Sequence, residues 1–178
     1  MTATVIFATA LATRADDWRS THLYYDKDRS DTLFKANEFS LDLFGTYLAR
    51  ERNIEAFPNT SIHHGQWGGG VGANYFWSRD VGIGADTSFQ DGGRRFVDHV
   101  GGNLFVRLPI EAIRLAPFVF AGGGRSCNPG YNWFGDAGVG VDFRLNPKLA
   151  IFGDARYIWK DVAGQDQALL RTGIRLIF

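Results

Sequence analysis

From residue 37 to the last residue the chain alternates apolar and polar side chains with a period of two, in eight successive runs. That period sets consecutive side chains on opposite faces of an extended strand, so the pattern predicts strands with two unlike faces. In the first run, 37–50, Phe39, Leu41, Leu43, Gly45 and Tyr47 oppose Ser40, Asp42, Phe44 and Thr46. The second, 66–77, sets Trp67, Val71, Ala73, Tyr75 and Trp77 against glycines, Asn74 and Phe76. Runs follow at 80–91, 96–108, 112–123, 131–144 and 148–161, and an eighth reaches Phe178. The fifth is the least regular, and Pro117 argues for an early place in that strand. Each run suits a tilted strand of roughly 9–11 residues, long enough to cross a bilayer, and an even count suits antiparallel closure.

The connections point the same way. Ser78 and Arg79 alone separate runs two and three, and three residues each separate four from five and six from seven. The segments 51–65 and 124–130 are longer, while 92–95 and 162–166 are modest. Short turns alternating with longer loops describe a meander and not a βαβ fold. No stretch approaches the roughly 18 apolar residues of a transmembrane helix. The mean hydropathy of −0.15 does not exclude a membrane barrel, because alternation averages the signal away. With 19 basic and 19 acidic residues the formal net charge is zero, which gives no pull towards nucleic acid.

Two inside-out arrangements fit this meander. A soluble lipocalin-like barrel keeps its apolar face inward around an apolar ligand; a membrane barrel turns that face to lipid. The polar faces carry Asp42, Asp86, Arg107, Asp136, Asp142, Arg144, Asp154, Arg156, Lys160, Arg171 and Arg175 among many of the 22 glycines. Glycine weakens a solvent-facing strand, but in a narrow lumen it makes room for Arg and Asp to pair. Trp67, Tyr75, Trp77, Trp133, Tyr157 and Trp159 fall on the apolar faces near strand ends, where a membrane interface would take amphipathic rings. The expectation is an all-β, eight-stranded, antiparallel up-and-down transmembrane β-barrel, monomeric, with a polar and largely plugged lumen.

The glycine–aromatic strands, the segment 117–123 (PFVFAGG) and the closing 173–178 (GIRLIF) resemble the small outer-membrane barrels of the OmpA type, within the broad outer-membrane β-barrel family. The likeness covers residues 37–178. It implies a bacterial outer-membrane location, and Phe178 as the terminal aromatic that the family's insertion machinery reads. It also implies outer-membrane lipids and lipopolysaccharide as surroundings, and a structural or surface-interaction role. Residues 5–12 (VIFATALA), followed by Thr13-Arg14-Ala15, are similar to a signal-peptide core, although no Lys or Arg precedes them; a first strand or a short helix would also fit. Residues 1–15 are therefore expected as a signal peptide or its remnant, 16–36 as a polar periplasmic segment and 37–178 as the barrel.

Chemistry-bearing residues are sparse. His63 and His64, with His22 and His99, have no accompanying cluster that would hold a metal, and Cys127 is the single cysteine. Ser88 and His99 lie near one loop, and a lipid A-modifying enzyme would need such a pair plus an orienting acid. Gly68–Gly72 and Gly122–Gly124 lack the Lys-Ser/Thr context of a phosphate loop. No catalytic residue, cofactor or metal is expected, and the loop 51–65, with Arg52, Asn53, Phe57 and the adjacent histidines beside Arg50, is the expected contact site.

Overall fold

The computed structural model describes residues 32–51, 66–90, 97–127, 131–161 and 166–178. Eight strands follow one another: β1 (Glu38–Glu51), β2 (Gln66–Phe76), β3 (Val81–Gln90), β4 (His99–Arg107), β5 (Leu115–Ser126), β6 (Asn132–Asn146), β7 (Leu149–Lys160) and β8 (Gln167–Ile177). Each pairs antiparallel with the next, and β8 pairs with β1, so the sheet closes and no strand edge is left unpaired. The backbone N–H of Phe178 donates to the carbonyl of Phe39 (2.9 Å), one rung beyond the last residue of β8.

The start of β1, Phe178 and the tight turns share one end of the barrel. At the β2–β3 turn the Ser78 hydroxyl accepts from the backbone N–H groups of Asp80 and Val81 (3.3 and 2.9 Å). At β6–β7, Asn146 Oδ1 accepts from the Lys148 N–H (2.8 Å), beside a shift of register between Arg144 and Asn146. These are side-chain-closed turns of the kind Ser and Asn favour. We call this the turn end and the opposite one the loop end.

One boundary departs from the alternation. The expected fifth strand, 112–123, begins at Leu115 and runs to Ser126. The reason is a single 3-10 turn, Glu111–Ile113, closed by Arg114 at φ 57° in the left-handed region. Ile113, two residues before Leu115, continues the period of two in the sequence although the backbone there is not extended. Pro117 then falls third in β5, opposite Leu108, which lies just past the end of β4 and donates to the Pro117 carbonyl (2.8 Å). The missing proline N–H costs only a terminal rung there.

A second departure lies before β1. Residues up to 36 read as polar tail, yet Leu33–Phe178 is one unit and Phe34 is 1% exposed, enclosed at the turn end of the barrel. The proposed signal segment 1–15, residues 16–31, His22, His63, His64 and nearly all of the loop 51–65 lie outside the described residues.

The charged lumen as candidate functional site

Alternation decides what the barrel encloses. Leu41, Leu43, Val71, Ile83, Leu104, Val106, Val119, Val139, Ile151, Leu170 and Ile174 are all exposed on the outer surface. The buried set contains Glu38, Asp42, Arg107, Asp136, Asp142, Arg144, Asp154, Arg156, Arg171 and Arg175. An apolar depression of about 860 Å³ lies on the outside, lined by residues such as Leu41, Val71, Ala85 and Ile174.

The inward charges form three tiers, the first two of them connected through Asp142. Nearest the turn end, Glu38 Oε1 accepts from both Arg107 Nη1 (2.8 Å) and Arg144 Nη2 (2.6 Å). Arg107 also donates to the carbonyls of Arg79 (2.7 Å) and Lys35 (3.3 Å). Phe34 lies beneath both guanidiniums, 5.2 Å from Arg107 and 4.6 Å from Arg144, so the chain before β1 closes this end. Arg144, fully buried, also reaches Asp142 at 3.5 Å.

The middle tier is built on Arg175. Its Nε and Nη2 donate to the two oxygens of Asp42 (2.7 and 2.8 Å), and its Nη1 donates to Asp142 (2.8 Å). Asn74 donates to Asp42 at 2.8 Å. In the third tier Arg171 holds Asp154 in a two-point contact (2.8 and 2.9 Å) and reaches Asp86 at 3.2 Å. Arg156 bridges Asp86 (2.8 Å) and Asp136 (2.9 Å), while Asn103 donates to Asp86 (3.3 Å).

Isolated, each of these ions would cost several kcal/mol to bury, about as much as a small domain's whole stability. Two-point Arg–carboxylate contacts and shared carboxylates offset that cost, because they satisfy charge and hydrogen-bonding capacity together. Aromatic rings supply the remaining contacts: Arg107 lies 3.8 Å from the Phe76 centroid, Arg156 4.9 Å from Phe120, Arg171 4.9 Å from Phe44 and Arg175 5.0 Å from Phe152. The inward glycines make room for this. A Cβ at Gly140 would run into the Phe118 ring and come within 2.7 Å of Asp154 Cβ.

Ten of the eleven charged residues that alternation placed on the polar faces thus lie in two ion-paired clusters, one of Asp42, Arg107, Asp142, Arg144 and Arg175 around Glu38, the other of Asp86, Asp136, Asp154, Arg156 and Arg171. Glu38, which alternation did not single out, is the turn-end hub, and Phe34, Asn74 and Asn103 belong with it. Glu38 shares a face with Ser40 and Asp42, so the period-two count continued one step further would have found it. Lys160, on the same face, is half-buried at the loop end.

The aromatic residues singled out divide between the two ends and point outward. Trp67 and Trp133 are 68% and 67% exposed at the loop end, with Tyr157 and Trp159 nearby, and Tyr75 and Trp77 are exposed at the turn end. Tyr47 packs on Trp67 (4.9 Å), and Tyr157 on Trp159 (5.1 Å). Phe178 is exposed and leans on Phe39 at 6.1 Å. Ser88 and His99 stand opposite each other in the β3–β4 ladder, both buried in the lumen. Neither ring nitrogen of His99 has a hydrogen-bond partner among the described residues, so no Ser–His relay is formed. No group of three or more His, Cys, Asp or Glu suited to a metal occurs among the described residues.

A closed antiparallel eight-stranded sheet with an ion-paired interior and an apolar exterior defines the transmembrane β-barrel fold. No protein-family model matches the chain, and no curated protein does. Among solved structures it is similar to the N-terminal β-barrel domain of OprF from Pseudomonas aeruginosa (TM-score 0.58, 15% identity, 81% of this chain and 99% of that one). It is also similar to Ail, the attachment invasion locus protein of Yersinia pestis (0.57, 14%, 80% and 99%). A de novo designed transmembrane β-barrel matches as well (0.53, 18%, 81% and 98%). At these identities the likeness shows the fold. The designed barrel makes plain that the fold alone names no activity.

Proposed function

We propose that this chain is a bacterial outer-membrane barrel protein with a structural or surface-interaction role and a lumen closed to bulk solute. The observation that carries the reading is the inversion of faces: paired charges inside, exposed leucine, valine and isoleucine outside. A continuous apolar belt of that size in water would drive association, whereas in a bilayer it faces its own solvent. The three tiers and Phe34 support the closed lumen, since they put interlocked side chains where a channel would need water. Ail, an attachment invasion locus protein by name, shares the barrel, so a surface-contact role is one that this architecture carries. The loop end would then face outward and the turn end the periplasm. The soluble reading, with an apolar ligand inside, is disfavoured by the charged interior. The lipid A-modifying reading is disfavoured by the inward, unlinked Ser88 and His99.

The test is fractionation followed by gel migration of the detergent-extracted protein, boiled and unboiled. Recovery with the outer membrane and a mobility shift on boiling are expected. A protein soluble without detergent, running identically either way, would overturn the reading. For the lumen, planar-bilayer recordings should show no large, stable conductance, and steady channels would refute closure.

A further inference from the structure

We propose that the outer surface of β4, β5 and β6 at the loop end carries a binding site for one anionic phospholipid-type molecule, with Arg125 holding its phosphate and a glycine row beneath seating an acyl chain. The inference rests on the membrane reading above. Five of the strand arginines, Arg107, Arg144, Arg156, Arg171 and Arg175, are buried in the lumen, each paired with a carboxylate. Among the strand arginines whose side chains are described, Arg125 is the exception: it points outward and is exposed. Its guanidinium lies 4.7 Å from the Tyr131 ring and 5.9 Å from the Trp133 ring, and among the described residues it has no carboxylate partner. Contacts with rings use no acceptor, so its five N–H donors are left for one. A cation on a lipid-facing strand is tolerated best at the interface. Arg125 stands there, opposite Trp133 in the ladder. The acceptor that this level of a membrane offers is a headgroup phosphate, which a guanidinium grips at two points.

The surface below Arg125 is shaped to match. Val100, Arg125 and Trp133 stand side by side on β4, β5 and β6. Two residues nearer the barrel middle, the same three strands present Gly102, Gly123 and Gly135 side by side, followed by Leu104, Ala121 and Ala137. Gly123 has a backbone reason to be glycine, since a Cβ there would lie 2.5 Å from the Phe134 carbonyl oxygen. Gly102 and Gly135 have none: a Cβ would meet nothing nearer than 3.7 and 3.9 Å. Their lack of side chains leaves the outer surface of the three strands without side-chain cover just below the cation. A second outward pair, Gly45 and Gly69, lies below Tyr47 and Trp67 and provides an internal comparison.

The test uses the full chain in nanodiscs of equal parts phosphatidylcholine and phosphatidic acid, with native mass spectrometry counting the lipids retained. The wild type should keep one phosphatidic acid with about tenfold preference, the worth of one charged two-point contact. Arg125→Gln should abolish the preference, Gly135→Leu should reduce retention, and Gly45→Leu should change neither. Undiminished preference in Arg125→Gln, or displacement of the lipid by millimolar inorganic phosphate alone, would overturn the site. A chain that enters nanodiscs and shifts on boiling, yet fails this test, leaves the membrane reading intact. A chain that does not enter them overturns both.

Discussion

The lumen has two unlike walls. One, from β1 and β6 to β8, supplies Glu38, Asp42, Asp136, Asp142, Arg144, Asp154, Arg156, Arg171 and Arg175. The other, from β2 to β5, supplies inward glycines and a cluster of rings, Phe76, Phe105, Phe118 and Phe120, interrupted by Asp86 and Arg107. Neither wall would be stable facing itself. Rings alone would leave the charges of the opposite wall bare, and the charged wall alone would leave Arg156 without the Phe120 ring. Joined, they interleave: Arg156 and Arg171 reach across to Asp86 and lie over Phe120. The difference teaches that this interior is a packed core whose cement is ionic on one side and aromatic on the other.

The hardest way to break the pairing of walls is to strand a charge. Asp42→Ala would leave Arg175 with only Asp142, and we expect a loss of about 3–5 kcal/mol, typical of removing one partner from a buried pair. Replacing both partners, Asp42→Leu with Arg175→Met, should cost much less, because no uncompensated ion remains. Urea titration of the folded, unboiled gel band measures both. A single variant as mild as the double would mean that water reaches Arg175.

Next in size is crowding of the space where the walls meet. Gly140→Val should cost about 1–3 kcal/mol through displacement of Phe118 and Asp154. Gly135→Ala, on the outer face of the same strand, should be neutral or slightly stabilising, since its Cβ meets nothing nearer than 3.9 Å. The same titration separates them, and equal costs would show that the inward glycines are not there to make room. Within the aromatic wall, Phe105→Leu keeps most of its volume and should cost about 1 kcal/mol or less, below either effect on the ionic side.

The ionic wall was legible in the sequence and the aromatic wall only in part, through Phe76, for a physical reason. A charge every second residue can face only inward in a membrane-spanning barrel, so Asp136, Asp142 and Arg144 declare their face. A phenylalanine is at home against lipid or in a core, so Phe105 and Phe118 declare nothing. Strand order and count followed from periodicity, while β5 slipped because Ile113 continues the alternation of Leu115 and Val119 back across a 3-10 turn. Phe34 was hidden in a polar stretch, where a single apolar residue has no period. The Arg125 site was hidden differently: Gly102, Gly123 and Gly135 are neighbours only across strands, and a linear reading does not set them side by side.

The smallest expected effect tests the comparison most cleanly. If the two walls exclude water, the ion pairs between and within them lie outside the reach of mobile counterions. Screening lengths shrink from about 10 Å at 0.1 M to about 3 Å at 1 M salt, but only charges that solvent can approach are affected. The urea midpoint of the wild type should therefore move very little between 0.1 and 1 M KCl. Arg79–Glu111 at the turn end, with both side chains about a quarter exposed, is the pair that salt can reach, and Glu111→Gln should remove whatever small dependence is seen. A midpoint falling steeply with salt in the Glu111→Gln variant would place solvent among Asp42, Arg175 and Asp142. The lumen would then be a wet, conducting space with no ionic cement, and the closure proposed for it would fall with the same titration.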